Sequence, residues 1–233
     1  MGKTARRNVK AALSRLALRM SVRFDYVLFP LDMREFVDRV ASLQYTPLGE
    51  LPPEPAVSGP DASLVGQGPV ARKGNLTVDI NTEKQFIGIS GQNEAAETFG
   101  ELSSILAAHN DILDPSRVAF FEMQARYRTK TPSNPLAAMA RLGENSRVIK
   151  EATQALGLPV DLFSVRLIAG PNGPNSSDYL EVWLQPIASL PTKDLGISVI
   201  FRDSDRVKFE ATSTQLETRI LKLLESAFRK TRG

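Results

Sequence analysis

His109 is the only histidine in the 233 residues, and there is no cysteine. Those two facts remove much chemistry at once. Disulfides, thiolate nucleophiles and cysteine metal sites are excluded, and zinc or haem centres have too few ligands to draw on. A Ser–His–Asp relay would have to use His109. That residue stands beside Asn110 and Asp111 near a predicted helix end, where a capping or cationic role competes with a catalytic one. Among the carboxylates, Asp203-Ser204-Asp205 places two acids one residue apart, a candidate for a hard cation. The same residue types favour turns by bonding their own backbone. Glu94, Glu97 and Glu101 fall in the first turns of a predicted helix, where acids suit the dipole. No two acids stand out as general acid and base. The expectation is a chain that is not an enzyme and carries no cofactor or metal.

The cations are more suggestive. Lys3, Arg6, Arg7, Lys10, Arg15, Arg19 and Arg23 fall in residues 1–24 without one acid, so this segment carries +7 while the rest of the chain sums to −4. Clustered lysines and arginines release counterions from phosphates, which makes nucleic acid a candidate partner. A helix docked on the body with solvated cations, and a membrane-surface or targeting segment, compete with that use. A second set comes from alternation along predicted strands. Tyr179, Glu181, Trp183 and Gln185 share one strand face, and Arg166, Ile168, Ile200, Arg202 and Lys208 are expected to join it. Aromatics with arginines can stack bases or anchor a protein partner; alternatively another layer covers this face. A third set is the row Gln124, Arg126, Arg128 and Lys130 on one strand, whose cations could equally pair with acids on neighbouring strands. The candidate nucleic-acid or partner-binding residues are therefore Lys3, Arg6, Arg7, Lys10, Arg15, Arg19, Arg166, Tyr179, Trp183 and Arg202.

These residues need elements to hold them. Val9, Leu13, Leu16 and Met20 recur at helical spacing and predict a basic amphipathic helix over 1–22. Phe24, Tyr26, Leu28 and Phe29 suggest a strand ending at Pro30, and Asp32 with Glu35 a capping-box-like start for a helix carrying Phe36, Val37, Val40 and Leu43. Residues 46–75 are rich in proline and glycine and predict an irregular excursion, with at most a short strand near Leu64 and Val65. Arg72 and Lys73 lie in its glycine-rich end, without the residue order of a phosphate loop. Val78 and Ile80, a polar turn at 81–84, and Phe86–Ile89 predict a hairpin, followed by a helix with Phe99, Leu102, Ile105 and Leu106.

In the second half, Phe121, Met123, Ala125 and Tyr127 define one strand face. Asn134-Pro135 starts a helix whose expected core positions are Leu136, Met139, Leu142, Ile149, Ala152 and Leu156. Strands follow at 163–167, 180–184 and 195–201. The alternation of Val207, Phe209 and Ala211 beyond a turn at 203–205 predicts one more strand, with the last helix beginning near 212. Hairpin and helix at 76–107 then match 197–228 at an offset of 121 residues, which suggests an internal duplication.

The second half thus reads strand, helix, four strands, helix. That order resembles one half of the TATA-box-binding protein, whose halves form a curved sheet with helices on its back. The likeness covers 116–230 and, more weakly, 23–113. It rests on element order, with no shared motif, so no functional residue carries over. The expected fold is α+β: an antiparallel sheet with helices on one side. The expected units are the helix 1–22, a half at 23–115 and a half at 116–233. The expected function is a non-catalytic binding protein of a larger assembly, contacting nucleic acid through its basic arm and sheet face; the alternative is a protein–protein adaptor or scaffold subunit. A protein partner or a homo-oligomer is expected, with no transmembrane segment and a cytoplasmic location.

Overall fold

The computed structural model describes residues 13–28, 31–49, 67–131 and 133–228. Its backbone is an α+β arrangement: one open antiparallel sheet of nine strands with five helices. In chain order the elements are β1 (Leu13–Phe24), α1 (Met33–Ser42), β2 (Thr46–Pro47), β3 (Gln67–Lys73), β4 (Leu76–Asn81), β5 (Phe86–Gly91), α2 (Ala95–Ala108), β6 (Val118–Lys130), α3 (Pro135–Gly143), α4 (Arg147–Leu156), β7 (Val165–Ala169), β8 (Tyr179–Pro186), β9 (Asp194–Asp203) and α5 (Arg206–Ala227). Across the sheet the order is β2-β3-β4-β5-β1-β6-β9-β8-β7. The first half lays β5, β4 and β3 outward from β1, and the second lays β9, β8 and β7 outward from β6. The pairing of β1 with β6 carries the sheet across the expected boundary at 115/116 without a break.

Strand alternation decides the layers. Met20, Val22, Met123, Ala125, Ile197 and Val199 point to one face and share a single apolar cluster with Phe36, Phe99, Leu102, Phe209, Leu216 and Ile220 of the helices. The tightest part is aromatic: Phe209 stacks on Phe201 at 5.4 Å and meets Phe99 and Phe121 at 5.5 and 5.6 Å. His109 closes the other end, fully buried, with Nδ1 2.7 Å from the Ile105 carbonyl and Nε2 3.1 Å from the Phe36 carbonyl. It therefore ties α2 to α1, a packing and capping role.

Three expectations fail for physical reasons. Residues 13–22 belong to a central strand and not to a basic helix; Lys3, Arg6, Arg7 and Lys10 lie outside the described residues. The register slips between Arg15 and Ala17, so Leu16 is an extra residue in the ladder. Leu13 faces the helices and Leu16 the opposite side, and this one-residue insertion is what imitates helical spacing. The strand predicted at 207–211 is the first part of α5, whose N-cap Asp205 accepts from the Val207 and Lys208 amides at 2.8 and 3.1 Å. Val207 is 76% exposed, while Phe209, Ser213, Leu216, Ile220 and Leu224 form the buried stripe. The second hairpin is absent, so the match at an offset of 121 residues fails and three strands, not four, follow the second-half helices. Finally, the excursion 46–75 contains β2 and β3, where buried Val70 and Ala71 sit between Pro69 and Gly74; Leu64 and Val65 lie outside the described residues.

Other expectations hold. Asp32 caps α1 through the Arg34 and Glu35 amides at 2.9 and 3.0 Å, and Asn134 caps α3. The hairpin β4–β5 forms as read. Of the core positions expected in 136–156, Met139 is buried, whereas Leu142 and Leu156 are exposed.

Candidate sheet-face site

The face of the sheet opposite the helices carries the alternate residues, and it holds five of the six described residues of the predicted site. Arg166 stands opposite Trp183, Trp183 opposite Ser198, and Ser198 opposite Arg126. Tyr179 stands opposite Arg202, and Ile168 and Ile200 flank Glu181. The expected face is thus assembled as read, with one correction. Lys208 belongs to α5 and pairs with Asp203 at 2.8 Å on the helix side.

The arginines of the predicted site on this face are already occupied. The Arg202 guanidinium lies over the rings of Phe120 and Tyr179, at 5.0 and 5.6 Å, while its Nε donates to Glu122 and its Nη1 to the Pro174 carbonyl at 2.6 Å. Gly170 makes that last bond possible: at φ +140° a Cβ would come within 2.6 Å of the Asp178 carbonyl, so only glycine lets the 170–178 loop fold back. Glu181 accepts from the Tyr179 hydroxyl and from Arg166 Nη2 at 2.7 Å. The Arg166 hydrogen bond holds the Glu181 carboxyl below its ordinary range, against the opposing effect of burial. Arg19 pairs with Asp79 and covers the Phe86 ring at 4.5 Å. Arg15 points the other way. It reaches Glu217 of α5 and Glu94 at the start of α2, and these bonds hold its charge although burial works against it. All four described arginines of the predicted site therefore have carboxylate partners.

Beside this neutralised network lies a groove of about 200 Å³, lined among others by Leu16, Arg126, Trp183, Ile187, Gly196 and Ser198. The two smallest side chains of β9 make its floor. Trp183, 40% exposed, and Leu16, 48% exposed, stand on its sides, and Pro186, Ile187 and Ala188 close one end. The bulge in β1 puts Leu16 there. Arg126 is exposed and, among the described residues, has no hydrogen-bond or ion-pair partner. One strand separates it from Trp183, about 10 Å at the backbone. Its neighbour Arg128 is paired with buried Asp194. The other ionisable group of the lining is Tyr127, whose hydroxyl is pushed up to about 12 by burial. The groove therefore offers an indole, an apolar wall and a free guanidinium. It offers no carboxylate, imidazole or thiolate to move a proton.

Sequence reasoning named Trp183 and Arg126 but did not join them, and it missed Leu16, Gly196 and Ser198. The signal was present for the last two, since both share the parity of Ile200 and Arg202. A second hollow, about 430 Å³, lies on the helix side between α2, the start of β6 and the start of α5, with Leu106, Leu113, Val118, Phe121 and Arg206 in its lining. No group of three or more acids, histidines or cysteines suited to a metal occurs among the described residues, and no helix among them is long and apolar enough to cross a membrane. No protein-family model matches the chain, and no curated protein matches it in sequence.

Proposed function

We propose that this chain is a non-catalytic protein-binding module, an adaptor or scaffold subunit, which holds a segment of a partner in the groove between Trp183, Leu16 and Arg126. The observation that carries it is the pairing of an exposed indole with an unpartnered guanidinium over a floor of Gly196 and Ser198, on a face where the neighbouring arginines are neutralised. An exposed tryptophan in a shaped hollow is the residue type that dominates protein interfaces. The nucleic-acid form of the expectation has less support. Arg15, Arg19, Arg166 and Arg202 would each have to leave a carboxylate to meet a phosphate, and a paired cation releases few counterions. Part of the same proposal is an internal duplication with the element order of the TATA-box-binding protein, which the first half follows in full and the second half follows with one strand fewer. It is supported by the strands laid outward from β1 and from β6 in equivalent order, each half closing with a helix.

Selection of displayed random peptides against the purified chain tests the binding role, with a labelled single-stranded oligonucleotide as the second probe. The expected result is peptides carrying an apolar or aromatic residue near Asp or Glu, bound by the native chain and lost in Trp183→Ala and Arg126→Glu. Oligonucleotide binding that disappears steeply with salt, with no peptide enriched, would replace this function with the nucleic-acid one.

A further inference from the structure

We infer that the chain forms a two-fold homodimer by pairing β7 with β7 of a second copy, extending the sheet. β7 is one end of the sheet, and among the described residues no strand lies beside its outer edge. It runs Val-Arg-Leu-Ile-Ala, without the proline, lysine or bulge that usually guards an edge. Leu167 is 43% exposed on the helix side and Ile168 51% exposed on the other, so the strand presents apolar surface on both faces. The segment before it does the same. Val148, Leu156, Leu158 and Phe163 are all exposed, and α4 buries no residue at all. This end is nonetheless fastened to the body, since β7 is paired along its length with β8, and a local bond orders the segment before it, Thr153 Oγ1 accepting from the Val160 amide at 3.2 Å.

Charge and topology select a second copy as the occupant. The only charge on β7 is Arg166, and Glu181 of β8 already neutralises it. Pairing therefore buries no unmatched ion, and a foreign strand would gain nothing from carrying a charge there. The far edge of the sheet is β2, two residues long and ending at Pro47, which has no amide hydrogen to donate. β7 cannot add to β2 of another molecule over any useful length, so open-ended stacking is blocked. What remains is β7 against itself. An antiparallel pair centred on Leu167 sets Leu167 against Leu167 of the second copy, Val165 against Ala169 and Arg166 against Ile168. The two-fold axis stands perpendicular to the sheet, so both grooves open on the same side of one continuous surface. The chain already uses this kind of joint internally, where β1 meets β6.

The axis makes the test specific. In Leu167→Glu and in Leu167→Lys each altered residue would face its own copy, and like charges opposite one another oppose pairing. The native chain should sediment at twice its 25.6 kDa monomer mass, and each variant alone at the monomer mass, with a native circular-dichroism spectrum. An equimolar mixture of the two variants should restore the dimer, since glutamate then faces lysine. A native chain that stays monomeric at high micromolar concentration overturns the proposal and leaves β7 to a partner of another sequence. A dimer that persists in both single variants, or a mixture of folded variants that stays monomeric, overturns it as well.

Discussion

α1 and α4 are both ten-residue amphipathic helices, and each lies between the central strand of its half and the strands that follow. α1 buries Met33, Phe36, Val37 and Val40 against β3 and α2. α4 buries nothing, and Val148 and Leu156 stand 71% and 67% exposed. One helix spends its apolar stripe on the fold; the other keeps it on the surface. Amphipathicity shows that a face needs cover, and only the tertiary structure shows whether the chain itself supplies that cover. The end of the molecule near β2 is thus closed internally, and the end near β7 is left for another surface.

The most severe way to break the comparison is to remove the strand on which both ends depend. Deleting residues 1–22 takes most of β1, which joins β5 to β6. The truncated chain should show no cooperative urea transition; a native-like transition would mean that β1 is dispensable. Next in size are core truncations. Phe36→Ala in α1 and Phe209→Ala in α5 remove fully buried rings and should each cost about 3–5 kcal/mol. Leu156→Ala in α4 and Val207→Ala in α5 should stay within about 0.5 kcal/mol at concentrations where the chain is monomeric. Equal losses at Phe36 and Leu156 would erase the distinction between the two ends.

A smaller effect separates ion pairs on the two halves of the open face. The Arg166 hydrogen bond holds Glu181 below its ordinary value near 4.5. Its ionised form is favoured in the folded chain, so its contribution is full above that value and is lost as pH falls through the lowered one. Burial raises Asp79 above its ordinary 3.8, ahead of the opposing Arg19. Its protonation therefore favours the folded chain over the same acidic range. Stability measured from pH 6 downward should fall less steeply in Glu181→Gln and more steeply in Asp79→Asn than in the native chain. The smallest expected effect is on Arg126→Glu, which breaks no bond among the described residues and should leave the urea midpoint unchanged.

Alternation made β4, β5, β6, β8 and β9 legible, and cap chemistry revealed the starts of α1 and α3. The failures have a common origin in local ambiguity resolved by tertiary contacts. A single inserted residue at Leu16 turned a strand's period of two into apparent helical spacing. Val207, Phe209 and Ala211 fit a strand until Asp205 is seen to cap a helix that buries Phe209 and exposes Val207. Gly and Pro hid β3, because a strand beside an edge can hold Pro69 at an irregular step in its ladder. The face bearing Arg166, Tyr179, Trp183 and Arg202 was readable from parity alone. The neutralisation of its arginines was not. Arg202 meets Glu122, eighty positions away, only because of the register between β6 and β9.

Trp183 is the only tryptophan in the chain, so its fluorescence reports on the groove without a label. Titration with a selected peptide in the native chain and in Gly196→Val measures the binding account most directly. A Cβ at Gly196 meets only ordinary contacts, at 3.5 Å from the Gln185 carbonyl oxygen and 3.6 Å from Ile187, so the variant fills the floor without forcing the strand. The predicted result is a shift of Trp183 emission to shorter wavelength on binding, with affinity at least roughly tenfold weaker, about 1.4 kcal/mol, in Gly196→Val. Peptide binding of equal strength in both chains, with Trp183 emission unmoved, would contradict it.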